Sequence, residues 1–137
     1  MIKTAIIYTR TNSKRLKNKA LLKIYKNKSL IECVVENTLK IKSINKVIIA
    51  TTKSKRELAI KKLLKKYDVK FFYGSTNNLI KRTLDCSKKH NFNYFLRVCG
   101  DRPFFSYKHI NNIISKLNKN KKKKFEFISN NKKTKKV

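Results

Sequence analysis

At 137 residues the chain can build one domain around a single core and is too short for two. Its apolar share of 40% is slightly low for a folded domain, while its charged share of 32% is high and nearly all positive. The formal charge of +30 invites a nucleic-acid reading, yet Lys is scattered along the whole chain beside abundant Asn and Ile, as A/T-rich coding favours. Drift on solvated faces therefore outweighs a dedicated nucleic-acid surface, and the same field would attract any smaller polyanion. Three widely spaced cysteines, Cys33, Cys86 and Cys99, without a C-x-x-C pair, argue against a disulfide framework and a zinc site. The apolar run Ala5-Ile6-Ile7 is too short for a signal segment, and no stretch approaches a membrane span. A soluble cytoplasmic protein with free thiols and no membrane partner is expected.

Strand and helix patterns alternate along the chain. Ile2–Tyr8 reads as a buried strand, followed by a polar loop, Thr9–Lys19. Ser29 and Glu32 have capping-box spacing, and Leu30, Ile31, Val34, Val35, Thr38 and Leu39 mark the helical face behind them. Lys46–Thr52 is a second strand. Ser54 and Glu57 form a second capping-box pattern, from which a helix carries Leu58, Ile60, Leu63, Leu64 and Tyr67. Val69–Tyr73 is a third strand, ending at Gly74, and a helix follows over about 77–90. Tyr94–Cys99 is a fourth strand, ending at Gly100, and a helix begins near Ser106 with Ile110, Ile113, Ile114 and Leu117. Lys119–Lys124 reads as a linker or helix end, and Phe125–Ile128 could be one more strand. The domain is expected to span 1–130, with a polar tail over 131–137. Such alternation predicts an α/β fold: three layers, Rossmann-like, with a mostly parallel sheet and ligands beyond the strands' carboxyl ends.

Three segments fall at those ends. The loop Thr9–Lys19 gathers Arg10, Lys14, Arg15 and Lys19, with Ser13 as a further donor. Arginine forks and lysine point charges suit phosphate oxygens; a solvated basic loop is an equal reading of the spacing. No Walker A pattern is present. Cys99-Gly100-Asp101-Arg102-Pro103 offers Asp101 as the best placed of seven acidic residues for a metal, and it reads equally as a turn whose Asp bonds its own backbone. Gly74 and Gly100, the chain's two glycines, both permit close approach of a ligand or an ordinary turn. His90 and His109 have no metal-spaced partner and read as surface or packing residues.

The order of these segments resembles the acylneuraminate and spore-coat polysaccharide cytidylyltransferases. Thr9-Arg10-x-x-Ser13-x-Arg15-Leu16-x-x-Lys19 is similar to their opening A-R-x-G-S-x-R-L-P-G-K signature. Ile49-Ala50-Thr51-Thr52 is similar to their second-strand end, and Phe72-Tyr73-Gly74-Ser75 with Leu79-Ile80-Lys81-Arg82 to their F-x-G-S…V-L-x-R block. Arg97–Pro103 resembles their R-V-T-G-D-C-P segment, and Phe127–Asn130 their later Y-V-S-N. The resemblance implies a nucleotide-diphospho-sugar transferase fold, incomplete at the C-terminus. It implies transfer of a cytidylyl group from CTP to a sugar or sugar acid for surface polysaccharide or glycan synthesis. It assigns Arg10, Arg15 and Lys19 to catalysis on the phosphates and Mg²⁺ to Asp101. Thr9, Arg10, Ser13, Arg15, Lys19, Thr51, Gly74, Ser75, Arg97 and Gly100 would bind the nucleotide. It implies a homodimer, or a separate chain supplying the rest of the site. Asn12 stands where the family has Gly, and Lys17-Asn18 where it has Pro-Gly; Asn tolerates a left-handed backbone.

Overall fold

Six strands and four helices follow one another in the computed structural model, which describes residues 1–11 and 16–119. In chain order they are β1 (Thr4–Tyr8), β2 (Lys23–Tyr25), β3 (Lys28–Ser29), α1 (Leu30–Leu39), β4 (Lys46–Thr52), α2 (Leu58–Leu63), β5 (Lys70–Gly74), α3 (Leu79–His90), β6 (Phe95–Cys99) and α4 (Tyr107–Lys119). The four main strands form one parallel sheet in the order β5-β4-β1-β6.

Both faces of this sheet are covered, so its central strands are apolar without alternation. Ala5 and Ile7 of β1 and Val47 and Ile49 of β4 pack with Ile31, Val34 and Val35 of α1 and with Ile60 of α2. Ile6 and Ile48 point the other way, towards Phe72 of β5 and Cys86 of α3. Ile114 of α4 joins Ile2 and Ile41, with Leu96 beside them. The result is the expected three-layer arrangement, with α3 on one face and α1, α2 and α4 on the other. No helix among the described residues is long and apolar enough to cross a membrane. All three cysteines are free; Cys33 and Cys86 are buried and Cys99 is half-buried.

The first capping box forms as its spacing requires: Glu32 N–H donates to Ser29 Oγ at 3.3 Å and Ser29 N–H donates to Glu32 Oε2 at 2.8 Å. Leu39, expected on the buried face of α1, is exposed. The helix expected through Tyr67 is α-helical only to Leu63 and tightens into a 3₁₀ turn over Leu64–Lys66, a common way of closing a last turn. Leu58 at its start is exposed rather than packed. The β2–β3 hairpin was not expected. Its central residues, Lys26 (φ 44°) and Asn27 (φ 61°), both adopt positive φ, as a two-residue hairpin turn demands; no glycine marks it in the sequence. The suggested strand over 125–128, the boundary at 130 and the tail over 131–137 lie outside the described residues, as does the Lys119–Lys124 segment beyond Lys119.

Candidate functional site

From β1 the chain steps outward through β4 to β5, then returns to the opposite side of β1 for β6. The carboxyl ends of β1 and β6 therefore flank a topological switch point, the place where open α/β sheets leave a crevice. Gly100 seals the two ends together. Its N–H donates to the Tyr8 carbonyl at 3.0 Å. A Cβ at this position would stand 2.5 Å from that same oxygen and 3.0 Å from Thr9 Cβ, so only glycine fits without movement.

The loop leaving β1 is tied at both ends. Asn18 N–H donates to the Thr11 carbonyl at 3.1 Å. Asn18 itself is left-handed (φ 55°, ψ 24°), as expected of an Asn standing at a glycine-like position. Ser13 and Arg15 lie outside the described residues. The other tie corrects the sequence reading of Glu57. Ser54 does cap, its Oγ accepting from Arg56 N–H at 3.3 Å, but Glu57 does not complete a box. Its buried carboxylate instead accepts from Thr11 N–H at 3.0 Å, from Thr11 Oγ1 at 3.0 Å and from Thr52 Oγ1 at 3.4 Å. The loop's unpaired donors reach the carboxylate before the Ser54 amide can.

Above the switch point lies a cavity of about 510 Å³. Tyr8, Thr9 and Arg10 line it from the end of β1 and its exit, Lys19 from the far end of the loop, and Arg97, Gly100 and Asp101 from β6 and its exit; Arg82 lines it from α3. Four cationic side chains thus meet one carboxylate. Lys19 Nζ and Asp101 Oδ2 are 3.5 Å apart with both side chains well exposed, a contact that adds little stability. Arg97 lies over the Tyr8 ring, 5.7 Å from its centroid. The Tyr8 hydroxyl pairs with Thr83 Oγ1 at 2.7 Å, and burial raises its pKa. Burial, and then the charge of Arg10, push the Arg82 guanidinium below its ordinary value. No group of three or more His, Cys, Asp or Glu side chains among the described residues could hold a metal by itself.

The cavity brings together Thr9, Arg10, Lys19, Arg97, Gly100 and Asp101 of the residues singled out in the sequence. Thr51, Gly74 and Ser75 are not among its lining residues. Thr51 is wholly buried in β4, and its hydroxyl has no hydrogen-bond partner among the described residues. Gly74 and Ser75 sit behind Arg82, whose Nε donates to the Ser75 carbonyl at 2.8 Å. His90 packs edge-on against Phe72 with its Nε2 buried. Tyr8, Glu57 and Arg82 are the contributors that the sequence reading passed over as site residues. Only Arg82 carried a signal, as the arginine of Leu79-Ile80-Lys81-Arg82, the segment similar to the family's V-L-x-R block.

Residues 4–137 match the family model described as cytidylyltransferase. An uncharacterized protein of Methanocaldococcus jannaschii is 36% identical over 124 residues, which are 90% of this chain and 49% of that protein. A solved cytidylyltransferase from Leptospira borgpetersenii serovar Hardjo-bovis is 28% identical with a TM-score of 0.80, over 89% of this chain and 51% of its own. A CMP:2-keto-3-deoxy-manno-octonic acid synthetase, solved in complex with CTP, shares the fold at a TM-score of 0.69 and 22% identity, over 85% of this chain and 48% of its own. The chain thus spans about half the length of these relatives.

Proposed function

Because the chain belongs to the cytidylyltransferase family, we propose that its switch-point cavity binds CTP and forms the nucleotide half of a cytidylyl-transfer site. The observation that carries this reading is the convergence of Arg10, Lys19, Arg82 and Arg97 on one cavity at the carboxyl ends of β1 and β6. A triphosphate is the ligand whose charge answers four cations, and fixed cations are what nucleotidyl transfer needs as negative charge builds on the departing group.

In the proposed reaction an acceptor oxygen attacks the α-phosphorus of CTP and gives up its proton to solvent. The new P–O bond forms as the bond to the bridging oxygen breaks, and pyrophosphate leaves with the electron pair. Arg10 and Lys19, with Ser13 and Arg15 of the same loop, hold the triphosphate, and Thr9 and Gly100 shape the floor beneath it. Arg97, stacked on Tyr8, lies towards the ribose or base. Asp101 suits Mg²⁺, which takes one or two carboxylates and completes its shell with phosphate and water. Asp101 is well exposed at the cavity edge, and Lys19 is its ion-pair partner among the described residues. When bound there, Mg²⁺ would supply further neutralisation of phosphate charge.

The acceptor class proposed is a sugar or sugar acid, for glycan synthesis in the cytoplasm; the family resemblance supports this, as does the name of the CTP-bound synthetase that shares the fold. Residues for that acceptor would come from a second copy or from further polypeptide, given the half-length match. Calorimetric titration with Mg·CTP, Mg·ATP and a single-stranded oligonucleotide at two salt concentrations tests the reading. Selective, Mg²⁺-dependent CTP binding that is weakened by Lys19→Ala and Asp101→Asn is expected. Oligonucleotide binding that falls steeply with salt, with no preference for CTP, would overturn it.

A further inference from the structure

We propose that Arg82 binds the phosphate oxygens of the ligand in this cavity, and that the Gly74–Thr76 turn serves as the seat that holds it. The inference rests on the cavity being a nucleotide site, and it assigns Gly74 and Ser75 an indirect part in it.

Arg82 sits one turn inside α3, whose N-cap is Asn78. It is 5% exposed, yet it lines the cavity. Its Nε donates to the Ser75 carbonyl at 2.8 Å and its Nη2 to the Thr76 carbonyl at 3.3 Å. These two bonds fix the plane of the guanidinium and leave Nη1 without a protein acceptor among the described residues. The seat also depends on Gly74. A Cβ there would lie 2.5 Å from Arg82 Cγ and 3.2 Å from Arg82 Cβ, so the arginine stem occupies the space that a side chain would fill.

No carboxylate among the described residues forms an ion pair with Arg82. Burying a cation without a counter-charge is unfavourable, and buried arginines are ordinarily paired. Arg10 worsens the balance by adding a second positive charge nearby, an effect that contributes to the lowered pKa of Arg82. Glu57 acts on Arg82 only through its charge at a distance and forms no ion pair with it, so two cations facing one cavity are compensated when a polyanion enters. Lysine could not replace this arginine, since one ammonium cannot hold both carbonyls and still present a donor edge to phosphate.

The test uses the full chain, with pyrophosphate and Mg·CTP titrated separately by calorimetry and a melting curve for each variant. Arg82→Gln should weaken pyrophosphate at least tenfold, whereas Lys62→Gln, an exposed charge on α2 away from the cavity, should change it less than twofold. Gly74→Ala should weaken pyrophosphate in the parent and add nothing on the Arg82→Gln background, an interaction that a purely structural role would not produce. Arg82→Lys keeps stem and charge if Arg82→Gln does not fold; it should still lose several-fold affinity. Pyrophosphate affinity in Arg82→Gln, or in Arg82→Lys where that is the folded variant, within twofold of the Lys62→Gln control overturns the inference. So does a parent chain that binds no pyrophosphate. Pyrophosphate binding that depends on Arg82, without CTP selectivity, would instead sink the nucleotide reading and leave the Arg82 assignment standing.

Discussion

Glu57 and Thr11, 46 residues apart, are joined by two hydrogen bonds of 3.0 Å, from the Thr11 backbone N–H and from its hydroxyl. Glu57 is 1% exposed. A residue at the start of α2 therefore anchors the first residues of the loop that leaves β1, and Asn18 closes the same loop from its far end. Removing the acceptor leaves two Thr11 donors buried without partners. Glu57→Ala should cost about 1–3 kcal/mol in urea denaturation. It should also weaken CTP in calorimetry more than an exposed charge removal such as Lys62→Gln does. CTP affinity unchanged by Glu57→Ala would separate the tether from the site.

Gly100 predicts a steric outcome. Its missing Cβ position is 2.5 Å from a backbone oxygen, which cannot swing aside as a side chain can. Gly100→Ala should part the ends of β1 and β6, costing about 1–3 kcal/mol, and weaken CTP at the same time. Equal CTP affinity in parent and variant would show that the crevice floor does not contribute.

Thr51 separates a contact expected from resemblance from the packing observed. Its hydroxyl is buried without a partner among the described residues, as is that of Tyr73, its register partner across β4 and β5. Thr51→Val keeps the shape and removes an unsatisfied polar group, so it should stabilise the fold by on the order of 1 kcal/mol with CTP binding retained. A marked loss of CTP affinity would restore Thr51 as a direct nucleotide contact.

His90 predicts a pH response. Burial, then the charges of Lys46, Lys89 and Lys70, depress its pKa below the ordinary 6.5. The folded state therefore holds the proton less tightly than the unfolded chain does. Its contribution to stability is complete above pH 6.5 and is lost as pH falls through the depressed folded value. His90→Gln should flatten the urea midpoint between pH 7 and 5 relative to the parent; parallel curves would assign acid sensitivity to other groups.

The sequence by itself determined the alternation of strands and helices, because buried parallel strands need apolar runs such as Val47-Ile48-Ile49-Ala50 and helices need periodic faces. It also determined the first capping box, a local device whose partners are three residues apart. Local pattern could equally place Arg10, Lys19, Gly100 and Asp101 near strand ends, since a loop's position in an α/β chain follows from where the strands stop. Only the tertiary structure decided which of these share a cavity, because that depends on the strand order β5-β4-β1-β6. Ser54 and Glu57 have the same spacing as Ser29 and Glu32, yet Glu57 turns to Thr11 because the loop leaving β1 brings it both a backbone N–H and a hydroxyl. Arg82 likewise became part of the site through contacts made in space, between the arginine stem, the bare Cα of Gly74 and two carbonyls that sequence spacing does not reveal.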